Sequence, residues 1–150
     1  MYIQQIVTSF VASAAFGMIF NAPRKALLQC GFAGMVGWIL YIWLQEMQVV
    51  RITATVVAAF IVTMVSHIFA KKYRTPIIVF SVSGIIPLVP GGLAYDAMRK
   101  AVQNQYDQAV QLGAEAFMIS GAIALGLLLA EVTNQITRKI ARPRKPEKEQ

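Results

Sequence analysis

Ile85-Ile86-Pro87-Leu88-Val89-Pro90-Gly91-Gly92 interrupts an apolar stretch that begins at Pro76. Two prolines remove backbone donors, and two glycines weaken any helix that continues through them. In water this would be an ordinary turn. In lipid nothing replaces the lost hydrogen bonds, so the break must be buried in protein or line a wet cavity. Composition decides which solvent applies. The 150 residues are 57% hydrophobic and only 14% charged, with a mean hydropathy of +0.56. Soluble domains carry about 25% charged residues. The chain therefore reads as an all-α integral membrane protein.

Working outward from the break gives five apolar segments: Ile3 to Phe20, Leu27 to Leu44, Ile52 to Ala70, the segment from Pro76 to Pro87, and Leu112 to Val132. A crossing helix needs roughly 20 apolar residues, and about 17 suffice. Ile77 to Val89 spans only about 20 Å of helix at 1.5 Å per residue, against a hydrocarbon core of about 30 Å. The fourth segment must therefore re-enter, or cross as two pieces joined at Pro-Gly-Gly.

Charge favours the crossing. Arg24 and Lys25 follow the first segment, and Lys71, Lys72 and Arg74 follow the third. Arg138, Lys139, Arg142, Arg144, Lys145 and Lys148 follow the fifth. If all five segments cross, these 11 of the 14 basic residues share one side. The positive-inside rule then places the N-terminus outside and the C-terminus in the cytoplasm. The net charge of +7 is thus a topology signal and argues against nucleic-acid binding. Trp38, Tyr41 and Trp43 form an aromatic belt at the outer end of the second span. No basic region precedes the first apolar run, so it is read as retained rather than cleaved.

From Leu93 to Gln111, apolar residues recur at helical spacing with Asp96, Arg99, Lys100 and Asp107 between them, which predicts an amphipathic helix on the outer surface. Residues 1–140 form the membrane domain. The charged, proline-containing residues 141–150 are expected to be a disordered basic cytoplasmic tail.

The break itself is the strongest functional signal. It predicts a discontinuous helix whose free backbone groups meet a substrate path, here at Pro87, Pro90, Gly91 and Gly92. Ser81, Ser83 and Gly84 lie just before it. On the third span, Thr55, Ala59, Thr63 and His67 share one face. Such hydroxyls often bond only to their own helix. The sharper reading has Thr63 and His67 lining the path, with His67 taking part in proton coupling. Small residues stripe three spans: Ser9, Ser13 and Gly17; Gly31, Gly34 and Gly37; Ala122, Gly126 and Ala130. They permit close helix contact within the chain or with a partner. At Asn21-Ala22-Pro23-Arg24 and at Pro76, caps and turns set topology. One histidine and one cysteine, Cys30, provide no metal cluster, cofactor site or disulfide. No catalytic constellation is visible, and an enzyme is not expected. Glu131, near the inner end of the fifth span, reads as reaching the interface.

Asn21 to Leu27, the glycines before Trp38, Thr75-Pro76 and Ile86 to Gly92 together resemble the threonine/serine exporter family, specifically its short carboxy-terminal half. The resemblance covers nearly the whole chain and is most specific at the proline-glycine motif. It implies export of small hydrophilic metabolites across a bacterial inner membrane, threonine and serine or dicarboxylates such as succinate. It also implies a second membrane subunit as partner, agreeing with an outside N-terminus. Assembly with copies of itself, or a scaffold role without transport, are the alternatives.

Overall fold

The computed structural model describes residues 2–141. It is helical throughout, with no strand among the described residues: α1 (Tyr2–Ile19), α2 (Leu27–Glu46), α3 (Arg51–Tyr73), α4 (Ile77–Ile85), α5 (Gly91–Val102) and α6 (Tyr106–Ala141). Single 3-10 turns at Arg24–Ala26 and Ile86–Leu88 lead into α2 and follow α4. Helix is forced even on α3, whose Ile52-Thr53, Thr55-Val56-Val57 and Ile61-Val62-Thr63 would favour a strand in water. Within lipid a lone segment satisfies its backbone only by coiling.

Three helical stretches are long and apolar enough to cross a membrane: Arg24–Glu46, Arg51–Tyr73 and Tyr106–Ile140. Ile77–Leu88 and Gly91–Val102, bent by 51° at the break, make a fourth if they count as one crossing. α1 is apolar but shorter, at about 27 Å.

The connections are short. Asn21, Gln48, Arg74 and Asn104 each adopt positive φ, between 52° and 61°. The following amide then bonds back to the helix: Ala22 N–H to Gly17 O (2.9 Å), Val49 to Leu44 (3.1 Å), Thr75 to Ala70 (3.3 Å) and Gln105 to Lys100 (2.9 Å). These are Schellman-type ends built without glycine. Asn21 thus closes α1 through its backbone. No side chain caps the next turn, and Pro23 precedes that turn instead of opening it. Pro76 does the same before α4.

One expectation is corrected. The amphipathic stretch 93–111 is not one helix. It divides at 103–105 into α5 and the first turns of α6, because left-handed Asn104 folds the chain back on itself. The predicted fifth span is the middle of that longer helix. The expected tail, from residue 142 on, lies outside the described residues.

α3 and α6 pack side by side and run in the same direction. Arg51 pairs with Glu115, and His67 with Glu131, each pair 64 positions apart. Between the two pairs Gly126 lets the backbones touch: a Cβ there would sit 2.6 Å from Val56 O and 2.7 Å from Ala59 Cβ. The segment 74–105 therefore carries the chain from the His67 end of this seam back to its Arg51 end. The core lies along the seam, where Ala58, Ala59, Val62, Ile119 and Ile123 enclose Leu88 from the break. All nine residues of the three small-residue stripes are buried.

Candidate functional site

The break is built by what its prolines lack. Pro87 has no N–H for Ser83 O, so α4 tightens into the 3-10 turn, where Val89 N–H donates to Ile86 O at 3.2 Å. Val89 is then extended. Gly91 N–H donates to Val89 O at 2.8 Å, a three-residue turn centred on Pro90, and α5 starts. No side chain caps α5. The amides of Gly92 and Leu93 belong to the first turn, where donors have no helical acceptor and the helix dipole is positive.

Pro87, Leu88, Val89, Pro90, Gly92 and Leu93 line a cleft of about 220 Å³ with Trp38, Tyr41, Arg51 and Ile119. Trp38 and Tyr41 stack at 5.4 Å between ring centroids. Gln45 Nε2 donates to the Tyr41 hydroxyl at 3.1 Å. Arg51, half exposed and paired with Glu115, is the cation of this cleft. A positive helix start and a guanidinium suit a carboxylate, and the stacked rings suit a short apolar side chain.

The break residues expected from sequence separate here. Pro87, Pro90 and Gly92 line the cleft. Gly91 is exposed beside it. A Cβ at Gly91 or Gly92 would meet nothing within 4 Å, so the fold itself does not require glycine there. Ser81, Ser83, Gly84 and Thr63 lie outside the cleft. Ser81 Oγ donates to Ile77 O (3.1 Å), Ser83 Oγ to Val79 O (2.8 Å) and Thr63 Oγ1 to Ala59 O (2.8 Å). These are the local back-bonds of hydroxyls in apolar helices. Gly84 is a packing glycine, since a Cβ there would stand 2.6 Å from Val62 Cγ1. Arg24 is exposed in the turn after α1.

His67 lies at the other end of the seam. Its Nε2 is 3.1 Å from Glu131 Oε2, and its Nδ1 is 3.0 Å from Asn134 Nδ2. With Lys71, Thr75 and Arg138 these residues line a second cleft of about 280 Å³. Sequence reasoning missed Arg51 and Glu115 at one end, and Glu131 and Asn134 at the other. Only the 64-position spacing of Arg51 and Glu115, which recurs for His67 and Glu131, carried that signal.

Among the described residues, no group of three or more His, Cys, Asp or Glu side chains is placed to hold a metal ion.

Comparison with known proteins gives one family. The profile of "Threonine/Serine exporter, ThrE" matches residues 5–133. An uncharacterized protein of Haemophilus influenzae is 28% identical over 127 residues, covering 79% of this chain and 43% of that protein. The chain thus spans less than half the length of that relative. No solved structure matches. With the match running from α1 almost to the end of α6 and taking in the whole break, the chain belongs to the threonine/serine exporter family.

Proposed function

We propose that this chain is the small membrane subunit of a bacterial inner-membrane exporter, and that the cleft at the break is part of the substrate path. One observation carries the reading: the broken backbone, the uncapped start of α5 and Arg51 line the same cleft. The substrate class is a small carboxylate-bearing metabolite, threonine and serine or a dicarboxylate such as succinate. Its carboxylate would meet the Gly92 and Leu93 amides and Arg51, while Trp38 and Tyr41 shield it from lipid.

All five apolar segments cross in this reading, α4 and α5 together forming the fourth. The Arg51 end faces outside with the N-terminus, and the His67 end faces the cytoplasm. Basic residues at the turns after α1 and α3 support that orientation. A second membrane subunit completes the path. Its support is the length of the relative, of which this chain spans 43%.

The test is replacement of Gly91 and Gly92 by Leu. Both positions have open space, so the variant accumulates normally in the membrane. Intracellular serine, threonine or succinate under load is expected to rise as it does in a deletion strain. Normal export by that variant refutes the path. The same open glycines suit the close approach of a partner helix, which favours a scaffold as the second reading. A scaffold predicts altered yield of the complex with unchanged flux per complex.

A further inference from the structure

His67 is the single histidine of the chain, and its side chain is 10% exposed. Its surroundings are fixed from α6. Asn134 Nδ2 lies 3.0 Å from Nδ1. Glu131 Oε2 lies 3.1 Å from Nε2, at ion-pair distance but out of line for a hydrogen bond. Glu131 Oε1 accepts from Gln135 Nε2 at 3.0 Å, which holds the carboxylate in place. The charged groups facing the ring are Glu131 and Arg138 from α6 and Lys71 from α3 itself. The turn after α3 adds Thr75, and α4 adds Ile77. The cleft they line is open, so water reaches the cluster.

This arrangement has a defined proton chemistry. An amide nitrogen only donates, so Nδ1 facing Asn134 Nδ2 must present its lone pair. The neutral ring therefore carries its hydrogen on Nε2, beside Glu131. A proton taken from water in the cleft adds to Nδ1. That new N–H then confronts the Asn134 amino group, donor against donor. Rotating the carboxamide by half a turn presents Oδ1 and restores the bond, while Glu131 balances the imidazolium charge. No neighbour other than Asn134 needs to move.

We propose that His67, Glu131 and Asn134 form a proton-binding site at this end of the α3–α6 seam, in which Asn134 turns when His67 takes up a proton. The lining of the cleft then changes with the pH on that side, exchanging amide oxygen for amino group. The consequence for export rests on the transport reading above; the proton site does not.

Because His67 is alone, imidazole-¹⁵N labelling of the full chain in lipid bilayers gives a spectrum that needs no assignment. Above the titration, the neutral ring should be the Nε2–H form with Nδ1 bare. On acidification, both nitrogens should become protonated. With asparagine side chains ¹⁵N-labelled as well, the Asn134 amide signal, told from those of Asn21 and Asn104 by its loss in Asn134→Leu, should shift in step. Asn134→Asp, which can only accept, should switch the neutral ring to the Nδ1–H form. A wild-type ring that is Nδ1–H when neutral, that never titrates, or that titrates while Asn134 stays fixed overturns the proposal. The wild-type spectra decide it even if the variant does not fold. In cells, Asn134→Leu should abolish the pH dependence of export. Wild-type cells that export nothing would sink the transport reading and leave the proton site standing.

Discussion

Ser13 is fully buried, and its hydroxyl has no hydrogen-bond partner. It is wedged against Gly34, where any Cβ would collide with it. An unpaired buried hydroxyl contributes no hydrogen bond, and removing it relieves a desolvation cost of about 1–3 kcal/mol. Ser13→Ala should therefore leave the melting temperature unchanged or raise it, as differential scanning fluorimetry would report; a clear fall would mean that the hydroxyl is engaged. Gly126 poses the opposite case. Its Cβ would stand 2.6 Å from the Val56 carbonyl, and a backbone cannot yield as a side chain can. Gly126→Val should cost at least the 1–3 kcal/mol typical of overpacking, roughly. Gly121→Ala on the same helix, with open space, should stabilise the isolated chain by about 0.5–1 kcal/mol. The same thermal melts separate the two. Which residues would pack was legible, because size and spacing along one helix are enough. Which charges would pair was not. Glu131 reads as an interfacial acid until α6 is laid along α3.

At the scale of elements, the break was legible and the ends of helices were not. Proline cannot donate, so Pro87 and Pro90 announce an interruption in any context. The end of α5 carries no such mark. Gln103-Asn104-Gln105 has neither glycine nor proline, and apolar spacing continues across it. Its one sign is Asn104, a residue type that enters the left-handed region more readily than most, here at φ 59° with Gln105 N–H bonded back to Lys100 O. Left-handed geometry costs a residue with a Cβ roughly 1–2 kcal/mol. Gln48, at φ 61° and exposed, offers the clean test. Gln48→Gly should stabilise the chain by about 1 kcal/mol in this position, seen as a higher denaturation midpoint. A lower midpoint would mean that the Gln48 side chain contributes more than its backbone costs.

For the whole molecule, the sequence made the membrane setting plain through composition. The number of crossings was harder, because α1 and the α4–α5 pair fall near the length limit. The parallel seam bears on the second of these. A chain that descends α3 and must descend again alongside it in α6 has to climb back between them. Lys72 and Gln103, both exposed, flank that climb. In a Cys30→Ala background, cysteines at these two positions should react with a membrane-impermeant thiol reagent from opposite sides of the bilayer. Reaction from one side only would mean that the α4–α5 pair re-enters. The same architecture has a mechanical corollary. Short, hydrogen-bonded turns leave the rods no slack, and the ion pairs at both ends pin α3 to α6. Leu88 fastens the foot of the break into that pinned pair, while α5 is strapped to α6. The linkage at Val89 and Pro90 is then a joint between α4 and α5, an elbow anchored by buried Leu88, with exposed Val89 at its pivot and its crook open into the cleft.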